Sequence, residues 1–143
     1  MLIRAIGVLV LAGLLAACAS GPRATQAYKL YPGPAQPTAA LAIVRMGDAQ
    51  RAEFDGRVAH GIDWTEIHLL PGEHRIRWQT EFGVSVMIEP GGFATGGDEA
   101  LVTLAAGHIY TLKADRTTGR GYQMFFWIQD ETSGESISGK PKP

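Results

Sequence analysis

The sequence predicts an all-β protein: a sandwich of two antiparallel sheets, about seven or eight short strands in all, after a signal peptide and a flexible tether. Three observations predict it. From Leu41 onward apolar and polar residues alternate over runs of about four to eight, the spacing of half-buried strands. Turn residues break those runs roughly every ten positions, and no segment between them holds the apolar spacing of a ten-residue helix. The expected strands are Leu41–Met46, Arg51–Phe54, Thr65–Leu70, His74–Thr80, Val84–Ile88, Ala100–Leu104, His108–Ala114 and Tyr122–Gln129.

Taken in order, the chain starts with an export signal over residues 1–17. Arg4 supplies its positive charge, and Ala5 to Leu15 is uncharged. At about 1.5 Å per residue that run spans about 16 Å, too short for a bilayer core of about 30 Å. It ends in Leu15-Ala16-Ala17-Cys18, which resembles the lipobox of bacterial lipoproteins at all four positions. The resemblance implies cleavage between Ala17 and Cys18 and a diacylglycerol on the Cys18 sulfur. Each acyl methylene buried in the membrane contributes about 0.8 kcal/mol, so two or three chains give an anchor that one does not. With Ala19 after the acceptor, the resemblance also implies an exported protein held at the outer membrane and facing the periplasm, if the source is Gram-negative.

Cys18 is the single cysteine, so no internal disulfide forms, and acylation leaves no thiol. The 13 basic and 14 acidic residues balance, and losing Arg4 leaves 12 against 14, a charge of −2. Such a surface has no basic field for nucleic acid.

Residues 18–37 read as the lipidated N-terminus and a tether rich in proline (Pro22, Pro32, Pro34, Pro37), with Tyr28, Leu30 and Tyr31 where it begins to pack. Residues 38–131 form the sandwich, and 132–143 read as a disordered tail. Within the sandwich, parity puts His74, Ile76 and Trp78 on an inward face against Arg75, Arg77 and Gln79; likewise His108, Tyr110 and Leu112 oppose Ile109, Thr111 and Lys113. The run Tyr122–Gln129 is apolar on both faces. Either it is a central strand covered twice, or Tyr122, Phe125 and Trp127 present aromatic anchors to a partner. Pro90–Asp98, rich in glycine, reads as a hairpin loop; no Gly-Lys-Ser/Thr follows to make it a phosphate loop.

Phe54-Asp55-Gly56 followed by Leu69-Leu70-Pro71-Gly72-Glu73-His74-Arg75-Ile76 resembles PEGA-type and related carboxypeptidase-regulatory, transthyretin-like modules. There an Asp-Gly hairpin precedes a Leu-x-Pro-Gly-x-His turn. Here Pro71-Gly72-Glu73-His74 stands in place of the Pro-Glu-Gly-Ala tetrapeptide. The stretch Leu104–Leu112, with Trp127–Asp130, is similar to small bacterial lipoproteins carrying such a domain. These are turn and core features, and they imply a fold more than an activity.

No Gly-x-Ser-x-Gly elbow and no His-Glu-x-x-His pair occurs, so no enzyme and no cofactor is expected. The expected role is a non-catalytic binding or assembly function at the membrane, with an envelope protein or a glycan as partner. The alternative is a periplasmic metal-binding or hydrolytic protein in which His74 and His108 meet, with Asp130 or Glu73 beside them; otherwise each imidazole bonds backbone at its turn. His68 is expected to be solvated.

Overall fold

The computed structural model describes residues 24–85, 90–117, 123–141 and 143, with backbone alone at 82–85 and 90–95. The expected signal over 1–17, Cys18, Tyr122 and residues 86–88 of the expected strand Val84–Ile88 lie outside the described residues. Among the described residues ten strands run β1 Ala27–Lys29, β2 Ala42–Arg45, β3 Arg51–Phe54, β4 Arg57–His60, β5 Glu66–Leu69, β6 Gly72–Ser85, β7 Pro90–Leu104, β8 Ile109–Arg116, β9 Met124–Asp130 and β10 Ser136–Gly139. They form one sheet in the order β1-β5-β2-β8-β9-β10 and a second in the order β4-β3-β6-β7.

The fold is the expected all-β, two-layer one, and the inward faces follow parity. Ile76, Trp78, Tyr110, Leu112 and Ile128 are buried, with Val44, Ile67, Phe54 and Leu104 completing the core between the sheets. Phe126 meets the Trp78 ring edge-on at 6.5 Å. Trp78 is fully buried, and its aromatic area makes it the largest single hydrophobic contribution to the core.

Four expectations need correction. The larger sheet is mixed: β1 runs parallel to β5, and β2 runs parallel to β8, with Ile43 opposite Ile109. A parallel pair needs a long crossover, and here the whole β3–β4–β6–β7 sheet lies between β2 and β8 in the chain. Strand β4 was not expected, yet it is the return arm of a two-residue turn. Asp55 at φ 50° and Gly56 at φ 86° both have the positive φ that a tight hairpin requires.

The glycine-rich segment Pro90–Asp98 is strand. It pairs with β6 from Asp98 opposite Trp78 to Gly92 opposite Val84. Gly96 shows why glycine belongs there. A Cβ at that position would lie 2.5 Å from the Met124 Sδ and 2.9 Å from the Phe126 Cζ, so the backbone of β7 passes close over the ends of two β9 side chains, which a larger residue would have to displace.

The boundaries of the tether and tail also shift. Within 18–37, Ala27–Lys29 is strand, Leu30 and Tyr31 are buried, and the Tyr31 hydroxyl accepts the Gln36 N–H at 2.9 Å. Within 132–143, Ser136–Gly139 pairs with β9. The segment from Pro32 to Pro37 is a loop of the domain, turned at Gly33.

Candidate functional site

One end of the sandwich gathers the turns that the sequence singled out. The Asp55 carboxylate reaches from the β3–β4 turn to the start of β6. Its Oδ1 accepts the Arg75 N–H at 2.9 Å and its Oδ2 bonds His74 Nδ1 at 2.6 Å. His74 Nε2 donates to the Leu70 carbonyl at 2.7 Å. Partial burial pushes the Asp55 carboxyl up, but the bonds from His74 and Arg75 outweigh it and hold the group below its ordinary value. Both ring nitrogens of His74 are thereby engaged with oxygens of the protein. The Asp-Gly and Pro-Gly-x-His turns, 19 residues apart at Asp55 and His74, therefore come together as one interlock between neighbouring strands.

His108 makes a second such pair. Its Nδ1 bonds Asp130 Oδ2 at 2.8 Å, and its ring lies over Tyr110 at 6.1 Å. Asp130 is buried, and its Oδ1 accepts the N–H of Thr132 at 2.8 Å and of Ser133 at 3.2 Å, closing the turn after β9. Burial raises its carboxyl; the bonds from His108, Thr132 and Ser133 more than offset that and leave it lowered. An aspartate that orients an imidazole is half of a catalytic triad. Ser133 sits on the aspartate side of this pair: its N–H bonds the same carboxylate and its Oγ accepts the Glu135 N–H.

His74 and His108 thus belong to different sheets, each with its own aspartate. Among the described residues no three His, Cys, Asp or Glu side chains group as metal ligands. Glu73, offered as a ligand beside them, is exposed on β6.

The other expected positions fall as follows. Phe125 and Trp127 are half-buried on β9, opposite Asp115 and Lys113 of β8, and they point away from the core that Phe126 and Ile128 enter. His68 is not solvated: its side chain is 19% exposed, and its Nε2 sits 3.6 Å from Glu66 Oε2. On the outer face of the smaller sheet, Glu53, Arg77 and Glu99 stand in register across three strands. Arg77 holds Glu99 at 2.6 Å, and Arg75 lies 3.7 Å from the same carboxylate. This ladder neutralises the face.

The opposite end of the sandwich holds features that sequence reasoning missed. A groove of about 670 Å³ is lined by Gly47–Arg51, His60–Ile62 and Gln79–Glu81. Next to it, Gln26, Ala27, Ile62, Asp63 and Trp64 line a second of about 560 Å³. Tyr28 stacks on Trp64 at 4.8 Å, and Gln26 exchanges hydrogen bonds with Thr65, so the N-terminal strand is fixed from residue 26 onward. Ile62 is 75% exposed. Its one signal in the sequence was the Gly61-Ile62-Asp63 break between two strands. The chain matches no protein-family model, no curated protein and no solved structure.

Proposed function

We propose that the chain is a lipid-anchored β-sandwich lipoprotein of the bacterial cell envelope, acylated on Cys18, with a non-catalytic binding or assembly role at the membrane. The observation that carries this reading is Leu15-Ala16-Ala17-Cys18 behind eleven uncharged residues, with the first strand only a few residues further on. The non-catalytic part draws support from the two His–Asp pairs: each aspartate is bonded to backbone N–H groups of a turn as well as to its imidazole. Such pairs tie turns to strands. A partner surface of matching character is the outward pair Phe125 and Trp127 beside edge strand β10, since half-buried aromatics give large contact area at low entropic cost.

The test is labelling with radioactive palmitate in a bacterial host. The wild-type chain takes up label and loses residues 1–17; Cys18→Ser takes up none and keeps its full mass. Label that survives the substitution, or is absent from the wild type, refutes the reading.

A further inference from the structure

The end of the sandwich where the N-terminal strand enters also carries, among the described residues, the most exposed large apolar side chain, Ile62, and the root of the β6–β7 hairpin. Three observations locate them together. Gln26 and Ile62 line one groove, and Ile62 lines the adjoining groove with Arg51 and Glu81. Strand β3 stops pairing with β6 at Gln79, whereas β6 and β7 remain paired from Thr80 opposite Gly96 to Ser85 opposite Pro90. Beyond Thr80 the two strands therefore run on as a ribbon without a β3 neighbour, about 17 Å long at about 3.3 Å per residue.

The length of the connecting chain says what this end faces. Ala19 to Gln26 is eight residues, which reach at most about 28 Å at full extension. An acyl group on Cys18 would hold Gln26, and with it Ile62, within that distance of the bilayer. The ribbon's length covers more than half of it. We infer that this end is the membrane-facing end, and that Ile62 and the β6–β7 ribbon contact the lipid interface. The inference rests on acylation of Cys18. The Ile62 side chain, seated about 5–10 Å into the headgroup boundary, would add a second attachment to the acyl chains and fix the domain's orientation. The His–Asp turns and the loop 30–41 would then point away from the membrane.

The chain suits a direct test, because an acylated Cys18 leaves no free thiol. Ile62→Cys, Phe93→Cys and, at the opposite end, Leu70→Cys each introduce one labelling site. Ile62 and Leu70 are 75% and 41% exposed, so neither change disturbs the core. The full-length acylated proteins, carrying an environment-sensitive dye, are reconstituted into vesicles of phosphatidylethanolamine and phosphatidylglycerol with doxyl-labelled lipid. Palmitate incorporation is measured on the same samples. Quenching by the doxyl lipid is expected to be at least about threefold stronger at positions 62 and 93 than at 70, as interfacial depth requires. Equal quenching at all three positions, or stronger quenching at 70, with palmitate present overturns the orientation and leaves the anchor standing. Absence of palmitate overturns the anchor and this inference with it.

Discussion

Replacing Asp130 by alanine removes three hydrogen bonds from one carboxylate: Thr132 N–H at 2.8 Å, Ser133 N–H at 3.2 Å and His108 Nδ1 at 2.8 Å. Bonds to a charged acceptor contribute about 1.5–3 kcal/mol each when buried. The carboxylate is buried but Thr132 and Ser133 are exposed, so water takes over part of each lost bond; about 1 kcal/mol apiece is the fitting magnitude. The sum, about 3 kcal/mol, is a large share of the 5–15 kcal/mol typical of a domain. At a urea dependence of about 1.5 kcal/mol per molar, the unfolding midpoint falls by about 2 M. Asp130→Asn keeps an oxygen for Thr132 and Ser133, and its midpoint falls by about 0.7 M, a third as much.

Tryptophan fluorescence of the chain from residue 24 reads the transition, since Trp78 lies in the core. The carboxyl is lowered in the folded state, so its stabilisation is complete above the ordinary aspartate value of about 3.9. It is lost as pH falls below that toward the folded value, and the alanine variant should lose less stability than wild type over that window. An alanine variant whose midpoint stays within about 0.3 M of wild type at pH 7 would show that the carboxylate does not hold the turn.

Two further outcomes are expected. Asp55→Ala forces alanine into φ 50° and frees Arg75 N–H and His74, lowering the melting temperature by about 8 °C, whereas Asp55→Asn, which tolerates positive φ, lowers it by less than half of that. A thermal scan showing equal losses would exclude the turn geometry as the cause. Gly96→Val drives a side chain onto Met124 and Phe126 and costs about 1–3 kcal/mol in urea titration; adding Met124→Ala recovers part of the loss, and a double variant no better than the single would contradict that packing.

What the sequence revealed and what it hid follow from the range of the interactions. Alternation is local, so Ile76, Trp78, Tyr110 and Leu112 declared their faces without help from the rest of the chain. The Asp55-Gly56 dipeptide demanded a returning strand, and the signal for β4 was in plain view. It was obscured because Arg57-Val58-Ala59-His60 buries only the small Ala59. Strand β10, Ser136-Ile137-Ser138-Gly139, is too short and too polar to read as a strand; its pairing with β9 makes it one. The strand character of Gly96 and Gly97 comes from their ladder with Thr80 and Gln79, and the tight space around them from Met124 and the Trp78 carbonyl, contacts no local window contains. At the candidate sites parity brought His74 and His108 toward the interior side correctly. Their partners, Asp55 and Asp130, stand 19 and 22 residues away in sequence, beyond the reach of spacing rules.

The parallel pairing of β2 with β8 also governs the order in which the protein can assemble. Val44 takes its place against Tyr110, 66 residues later, so β2, which can already pair with β5, lacks its second neighbour while the chain is still being delivered from its N-terminus. Contacts of such sequence separation put the fold among slow, topologically non-local ones. The smaller sheet, through β3, β4, β6 and β7, and the β1-β5-β2 half of the larger sheet can each pair before β8 is present. The β2–β8 ladder, which joins that half to β8-β9-β10, closes only after the C-terminal part of the chain has arrived.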